Sequence, residues 1–188
     1  MNKTALLIVD MIYDFTNKSG KVYYPKNEEI IVSLNDFIKV ARQNDCLIVF
    51  VEHTVKKEEY LNAVLKMREC CIEGSGGELT DERLSCNRKK DIIIKKTKYS
   101  SFYKTKLDEV LKENHIENLL LTGTKTNNCI LATTFDAYNR NYSTYVVSDL
   151  VGTSDDLTNA IYLRDINKYL AKVISSREII KLFDRGDL

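Results

Sequence analysis

Six short runs of aliphatic and β-branched residues alternate along the chain with segments of helical periodicity. Strands are predicted at 4–9, 46–51, 91–95, 118–122, 142–148 and, more weakly, 171–174, and helices at 28–44, 57–68, 104–114, 128–140 and 155–168. Continuous apolar runs are typical of strands buried on both faces, and strand-helix-strand units join parallel strands. The pattern therefore predicts an α/β fold with three α/β/α layers, a roughly six-stranded parallel sheet and Rossmann-like topology.

The length of 188 residues suits one domain covering 1–188, because no linker or internal repeat divides the chain. The single proline, Pro25, is predicted to lie in the first loop. The stretch 70–90 contains three glycines and many charges and interrupts the alternation, so it is interpreted as an irregular excursion on the functional rim of the sheet.

Charge and hydropathy argue against several classes of partner. The 28 Lys and Arg residues nearly balance the 27 Asp and Glu residues, so no global field favours nucleic acid or an acidic membrane surface. The first apolar run is interrupted by Asp10 and Asp14 and is too short for a signal peptide, and no segment approaches a membrane-spanning length. We expect a cytoplasmic protein whose five cysteines stay reduced.

Histidine, a common zinc ligand, is rare in this chain. The two histidines, His53 and His115, lie in no metal-ligand spacing, so the sequence does not predict a histidine-rich zinc site. No other cofactor is predicted. Cys70 and Cys71 form a vicinal pair that could sense metals or oxidants, but they are interpreted as ordinary loop or core residues.

Three reactive side chains follow predicted strands. Asp10 follows the first strand, Lys96 the third, and Cys129 opens the helix after the fourth. Each has an ordinary structural explanation when taken singly. The carboxyl ends of parallel strands share one edge of a sheet, where ligands bind, so together they indicate an activated thiol.

The chemistry of such a group follows from its neighbours. A helix N-terminus and an ammonium both stabilise a thiolate, and Asp10 could carry the proton from the thiol to a leaving amine. In the run 123-GTKTNN-128, Gly123 allows the turn and Thr126 or Asn127 is expected to cap the helix. The N-H groups beside Cys129 would face a developing oxyanion.

The order of motifs resembles that of the isochorismatase-like cysteine hydrolases. The matching segments are 8-IVDMIYDF-15, 96-KTKYSSFYKT-105 and 123-GTKTNNC-129, supported by 132-ATTFDAYNRNY-142 and 145-YVVSD-149. The resemblance implies Asp10 as acid and base, Lys96 as the thiolate-stabilising cation and Cys129 as nucleophile. It further implies a cis peptide before Lys125, an oxyanion hole formed by the N-H groups of Lys125 and Cys129, and a homodimer or homotetramer.

Two departures from the family pattern narrow the range of expected substrates. Ile12 and Tyr13 stand where members often carry Gln and Asn, and only Glu52 and His53 match the region in which nicotinamidase-like members hold a metal. No metal is therefore predicted, and nicotinamide is disfavoured. An apolar substrate pocket is expected to use aromatic side chains that otherwise pack in the core: Tyr13, Phe15, Tyr99 and Phe102.

Three functions are compatible with these observations. The favoured one is hydrolysis of a small amide, carbamoyl or ureido C-N bond through a thioester on Cys129. Vinyl-ether hydrolysis of the isochorismatase type needs no covalent cysteine, so the presence of Cys129 argues against it. A non-catalytic nucleotide- or flavin-binding domain is disfavoured because 10-DMIYDFTNKSG-20 lacks the glycines of a phosphate loop.

Overall fold

A computed structural model of the chain describes residues 3–61 and 69–188. Within these ranges six strands form one all-parallel sheet in the order β3-β2-β1-β4-β5-β6. This confirms the predicted α/β class and parallel sheet. The strands are β1 (Thr4–Val9), β2 (Leu47–His53), β3 (Ile92–Lys96), β4 (Asn118–Thr124), β5 (Ser143–Gly152) and β6 (Lys172–Ile174).

Helices connect the strands in the predicted alternation. Only residues 57–61 of the predicted helix 57–68 can be compared, and they are helical; residues 62–68 lie outside the described ranges. The helices are α1 (Tyr13–Thr16), α2 (Pro25–Gln43), α3 (Lys57–Leu61), α4 (Leu107–Glu113), α5 (Leu131–Asn139), α6 (Asp156–Tyr169) and α7 (Ser176–Arg185), and a π-helical turn at Thr126–Ile130 precedes α5.

Both faces of the sheet are covered, which gives the three layers. On one face α4, α5 and α6 pack on alternate residues of β1 and β4, such as Leu7 and Leu121. On the other face α2 and α7 pack on the residues between them, such as Leu6 and Leu120. Since every residue of β1 is buried, the continuous apolar run marks a central strand.

One local prediction was wrong and one helix was missed. Pro25 begins α2 and does not lie in a loop, because a proline lacks the N-H that the first helical position leaves unpaired anyway. The final helix α7 was not predicted. It carries a capping box between Ser175 and Glu178 and ends at Gly186 in the left-handed conformation, while Ile179 and Phe183 face the core.

The strand order reverses between β1 and β4, where ligands bind in open parallel sheets. Gly123 near the end of β4 has φ +105°, and a Cβ there would overlap the carbonyl oxygen of Val9, so only glycine fits. The excursion 70–90 is irregular as predicted, and isolated bridges tie it to Ile12 and Val55, beyond the ends of β1 and β2.

No helix in the two described ranges has the combined length and hydrophobicity needed to cross a membrane.

Candidate active site

Three reactive side chains meet at the carboxyl edge of the sheet. Asp10 directly follows β1, Lys96 is the last residue of β3, and Cys129 lies in the π-helical turn after β4. The Lys96 Nζ atom is 2.7 Å from Oδ2 of Asp10 and 3.3 Å from Sγ of Cys129. Lys96 crosses over β2 to make these contacts, since β2 separates β3 from β1.

Asp10 reaches this position in an unfavourable backbone conformation. Its φ of 54° is left-handed, which costs a residue with a Cβ about 1–3 kcal/mol. The Asp10 N-H donates to the carbonyl oxygen of Val51 on β2 at 2.9 Å, which helps to hold this geometry. The strained turn directs the carboxylate to Lys96.

The Lys96 ammonium is buried and fully surrounded by polar partners. Besides Asp10 and Cys129, it donates to the carbonyl oxygen of Lys98 at 3.1 Å and lies 3.2 Å from Nδ1 of His53. Burial lowers the pKa of Lys96, but the Asp10 carboxylate and the Cys129 sulfur outweigh it, so the pKa lies above its ordinary value. The site therefore holds a charged lysine.

The loop that carries Cys129 is fastened by long-range side-chain bonds. The Thr124–Lys125 peptide bond is cis, as the resemblance implies. Neither Thr126 nor Asn127 caps the helical turn, so that expectation was wrong. Thr126 Oγ1 instead donates to Oδ1 of Asn159 on α6 at 2.6 Å, and Asn127 Oδ1 accepts from Thr153 after β5 at 2.6 Å. These polar groups anchor the loop to its neighbours instead of to its own helix.

Cys129 lies at a cavity of about 430 Å³. Phe15 and Tyr99, two of the predicted pocket residues, line it, together with Tyr24. The backbone turn that bears Cys129 contributes Lys125 and Asn128 to the wall. A small molecule that enters this cavity would reach the thiol and then the buried pair behind it.

Comparison with known proteins shows the family of the chain. Residues 4–178 match the model of the isochorismatase domain family. The chain belongs to the isochorismatase family.

Relatives match between about three quarters and nearly the whole of this isochorismatase-family chain. An uncharacterized isochorismatase family protein of Bacillus subtilis, YaaI, is 32% identical over 94% of this chain and 95% of its own. A probable inactive nicotinamidase of Arabidopsis thaliana is 31% identical over 77% of each chain. The crystal structure of an isochorismatase-like hydrolase from Alkaliphilus metalliredigens superimposes with a TM-score of 0.85 at 27% identity, covering 97% of this chain and 99% of that one. The chain is thus an isochorismatase-family hydrolase.

The protonation state of Cys129 depends on burial and on both charged neighbours. Burial and the neighbouring Asp10 carboxylate raise the pKa of the Cys129 thiol to about 12, and the Lys96 ammonium lowers it only in part. The thiol is therefore protonated in the free protein, and its proton must leave before the sulfur can act as a nucleophile. The resting site of this isochorismatase-family member pairs a neutral thiol with a carboxylate and an ammonium.

His53 belongs to the site, although the sequence analysis considered it only as a metal ligand. It is 7% exposed, ends β2 and lines the cavity. Because an ammonium can only donate, Nδ1 of His53 accepts from Lys96 and the ring proton lies on Nε2. Burial, with the charge of Lys96, lowers the pKa of His53 to about 4, so the ring is neutral at pH 7. No local signal marks it, because the apolar run of β2 ends at Val51 and His53 joins the strand only through pairing with Lys96.

The residues at the metal position of nicotinamidase-like members do not fit a metal here. Glu52 pairs with Arg88 at 2.8 Å and accepts from the N-H and hydroxyl of Thr80. Nδ1 of His53 is occupied by Lys96. Across residues 3–61 and 69–188, no three His, Cys, Asp or Glu side chains form a group that could hold an ion.

The structure places two predicted pocket residues elsewhere. Tyr13, the first residue of α1, lines a separate cavity of about 620 Å³. Phe102 is buried in the core, where its ring stacks on Tyr142 and lies under the Arg140 guanidinium. This packing in the core accounts for the presence of Phe102 without a role in substrate binding.

The vicinal cysteines have different surroundings. Cys71 is fully buried, and its N-H donates to Oδ2 of Asp14 at 2.6 Å, which suits the structural interpretation. Cys70 is partly exposed and lines both cavities.

Proposed function

We propose that this isochorismatase-family hydrolase is a cysteine amidohydrolase, which cleaves a small amide, carbamoyl or ureido C-N bond through a thioester on Cys129. The observation that carries the proposal is the position of the Lys96 ammonium between Asp10 and Cys129. It lies 2.7 Å from the carboxylate and 3.3 Å from the sulfur. One buried cation in contact with both a base and a nucleophile supports proton transfer between them.

The reaction begins with transfer of the thiol proton from Cys129 to Asp10. This transfer leaves a thiolate. The thiolate sulfur then attacks the carbonyl carbon, and its negative charge moves to the carbonyl oxygen. As the C-N bond breaks, Asp10 returns the proton to the leaving nitrogen, which departs as ammonia or an amine. Asp10 next takes a proton from water, the hydroxide attacks the thioester, and the acid product leaves as the proton returns to sulfur.

Lys96 stabilises the thiolate at each stage where it forms. The raised pKa of Cys129 keeps the thiol protonated until substrate arrives, so the base is required for every turnover. Backbone N-H groups of Lys125 and Cys129 are proposed to form the oxyanion hole, since both residues line the cavity. Phe15 and Tyr99 are proposed to contact the apolar part of the substrate.

Named relatives support C-N bond hydrolysis over vinyl-ether hydrolysis. A maleamate amidohydrolase of Pseudomonas putida is 21% identical over 95% of this chain. A ureidoacrylate amidohydrolase of Klebsiella pneumoniae is 27% identical over 78% of it. Both names describe hydrolysis of a C-N bond in a small acid derivative.

The test is release of ammonia from a panel of small amides, carbamoyl and ureido compounds, with the Cys129→Ala variant as control. We expect at least one compound to be hydrolysed by the wild type, and mass spectrometry after rapid acid quenching to find its acyl group on Cys129. Equal turnover by Cys129→Ala would contradict the thioester mechanism.

The wider setting of the enzyme is also proposed from the sequence. We expect one domain over 1–188, a cytoplasmic location, a small-molecule substrate without nucleic acid or membrane as partner, and a homodimer or homotetramer. Exposed Phe135 and Tyr138 on α5 suit a subunit interface. Light scattering at micromolar concentration would contradict the oligomer if it found a monomer.

A further inference from the structure

The charge of the cavity wall is uneven. Among the described residues that line the cavity of Cys129, Lys125 is the one with a formal charge at neutral pH, and no Asp or Glu lines it. The Asp10 carboxylate behind the wall is already paired with Lys96. Within the described wall, a molecule in this cavity therefore meets one positive charge that no lining carboxylate compensates.

The Lys125 ammonium has an aromatic neighbour but no carboxylate. Its Nζ atom lies 4.9 Å from the centroid of the Tyr24 ring. Within residues 3–61 and 69–188, no carboxylate forms an ion pair with it. The remaining residues cannot supply one from their side chains, since 1–2 and 62–68 contain no Asp or Glu. The ring face holds the ammonium by a cation-π contact and leaves its donors available.

We propose that Lys125 selects a substrate that carries an anionic group, a carboxylate, on the side remote from the scissile C-N bond. Lys125 follows the last residue of β4, Cys129 lies one helical turn further, and both line the same cavity. The substrate class is then the half-amide, carbamoyl or ureido derivative of a small carboxylic acid. This inference rests on the proposed function for the identity of the cleaved bond, but not for the anion.

The charge on Lys125 has a plain physical consequence for selectivity. A hydrogen bond between two charged groups in a partly desolvated cavity is stronger than one between neutral groups. A neutral amide in the same position offers Lys125 no negative charge and therefore forms only the weaker hydrogen bond. Discrimination therefore comes from one side chain, not from the overall charge of the protein, which is only +1.

Matched probes separate the anion from the rest of the molecule. The half-amide and the diamide of one dicarboxylic acid share a carbon skeleton and an amide, and differ in one negative charge. We would use such pairs from succinic, glutaric and phthalic acids. The quantity compared is the ratio of kcat/KM for the half-amide to that for the diamide, since it cancels any effect of substitution on the backbone N-H of Lys125.

Three variants assign the ratio to the proposed side chain. Lys125→Met removes the charge and keeps the length, and Lys125→Arg restores the charge. Lys21→Met removes an equal charge from the neighbouring cavity, where Lys21 is a lining residue. We expect the ratio to fall about tenfold or more in Lys125→Met, which corresponds to one charge-assisted contact. It should be largely recovered in Lys125→Arg and unaffected in Lys21→Met.

A binding experiment distinguishes failure of this inference from failure of the proposed function. Dissociation constants of the same probe pairs are measured by ligand-observed NMR in the Cys129→Ala background, with Lys or Met at position 125. Tighter binding of the half-amide that depends on Lys125, without hydrolysis by the wild type, would uphold the anion selection and contradict the amidohydrolase. Equal binding of half-amide and diamide, or a ratio that Lys125→Met leaves unchanged, would overturn the inference whether or not amides are cleaved.

Discussion

Two buried carboxylates at the same edge of the sheet have opposite surroundings. Glu52 near the end of β2 accepts hydrogen bonds from both terminal nitrogens of Arg88 and from the N-H and hydroxyl of Thr80. Asp10 after β1 has the Lys96 ammonium next to Oδ2, and in the described part of the chain no hydrogen-bond donor reaches Oδ1. Both side chains have no solvent exposure.

This difference separates a structural carboxylate from one whose surroundings suit the proposed proton transfer. Burial raises the pKa of Glu52, but Arg88 and Thr80 outweigh it, so the pKa lies below its ordinary value and the charge is stable. Glu52 thereby fastens the excursion 70–90 to the sheet. Asp10 lacks this set of donors and adjoins a neutral thiol, which suits a group that must accept and release a proton in each cycle.

The largest expected effect is on catalysis. Asp10→Asn should lower kcat/KM by about 10²–10⁴, because an amide cannot accept the thiol proton. Glu52→Gln should retain kcat/KM close to the wild-type value, because Glu52 does not face the reacting atoms. Steady-state ammonia release from whichever amide the wild type hydrolyses measures both.

The control for this pair of variants is cooperative unfolding in urea, which shows that each protein is folded before its activity is compared. A folded Glu52→Gln protein with activity as low as that of Asp10→Asn would contradict the division between structural and reactive carboxylates.

The sequence predicted the positions of the reactive side chains because they depend on the ends of strands. The apolar runs mark β1, β3 and β4, and parallel pairing alone brings their ends to one edge. His53 was missed because the apolar run ends at Val51, whereas the ladder of β2 continues to His53 through pairing with Lys96 on β3. A pairing partner far away in sequence leaves no local pattern.

Other features also depended on long-range contacts. Tyr13 and Phe102 flank reactive residues in sequence, but Tyr13 lines the other cavity and Phe102 packs on Tyr142 in the core. The neutral state of Cys129 follows from burial and from Asp10, neither of which the local motif specifies. The helix α7 was different, since its S-x-x-E capping box was legible at Ser175 and Glu178.

The next largest expected effect is on the stability of the protein in acid, and it tests His53, which accepts from Lys96. The pKa of His53 is about 4 in the folded protein against an ordinary 6.5, so between these pH values the unfolded chain binds the proton more readily. Stability should therefore fall as the pH drops from 6.5 to 4 and the loss should level off below that range. The shift corresponds to about 3 kcal/mol of unfolding free energy.

The matched control is His53→Gln, whose side-chain oxygen can still accept from Lys96 but does not titrate. Urea unfolding at several pH values should show a smaller acid loss in this variant than in the wild type. Buried carboxylates contribute equally to both proteins, so the difference isolates His53. Parallel curves would show that the ring is not held neutral by burial.

A smaller effect is expected on the structural side of the comparison. Glu52→Gln should lower the unfolding free energy by about 2 kcal/mol, because it weakens charge-assisted hydrogen bonds to Arg88 and Thr80. Glu117→Gln is the matched control, since the ion pair of Glu117 with Lys3 is exposed and should contribute less than about 1 kcal/mol. Equal losses in the two variants would mean that burial of Glu52 has no energetic consequence.

The smallest expected effect runs opposite to the loss of catalysis. Asp10 raises the pKa of Cys129, and Lys96 lowers it. Asp10→Asn removes the first influence and keeps the second, so the thiolate fraction of Cys129 should rise by about tenfold for each unit by which the pKa falls. Brief iodoacetamide treatment near neutral pH should therefore alkylate Cys129 faster in Asp10→Asn than in the wild type.

Cys46 and Cys86 are internal controls in the same digest, because burial is the main cause that raises the pKa of each and unfolding would accelerate both. Slower alkylation of Cys129 in a folded Asp10→Asn protein would contradict the view that the carboxylate holds the thiol protonated until the substrate arrives.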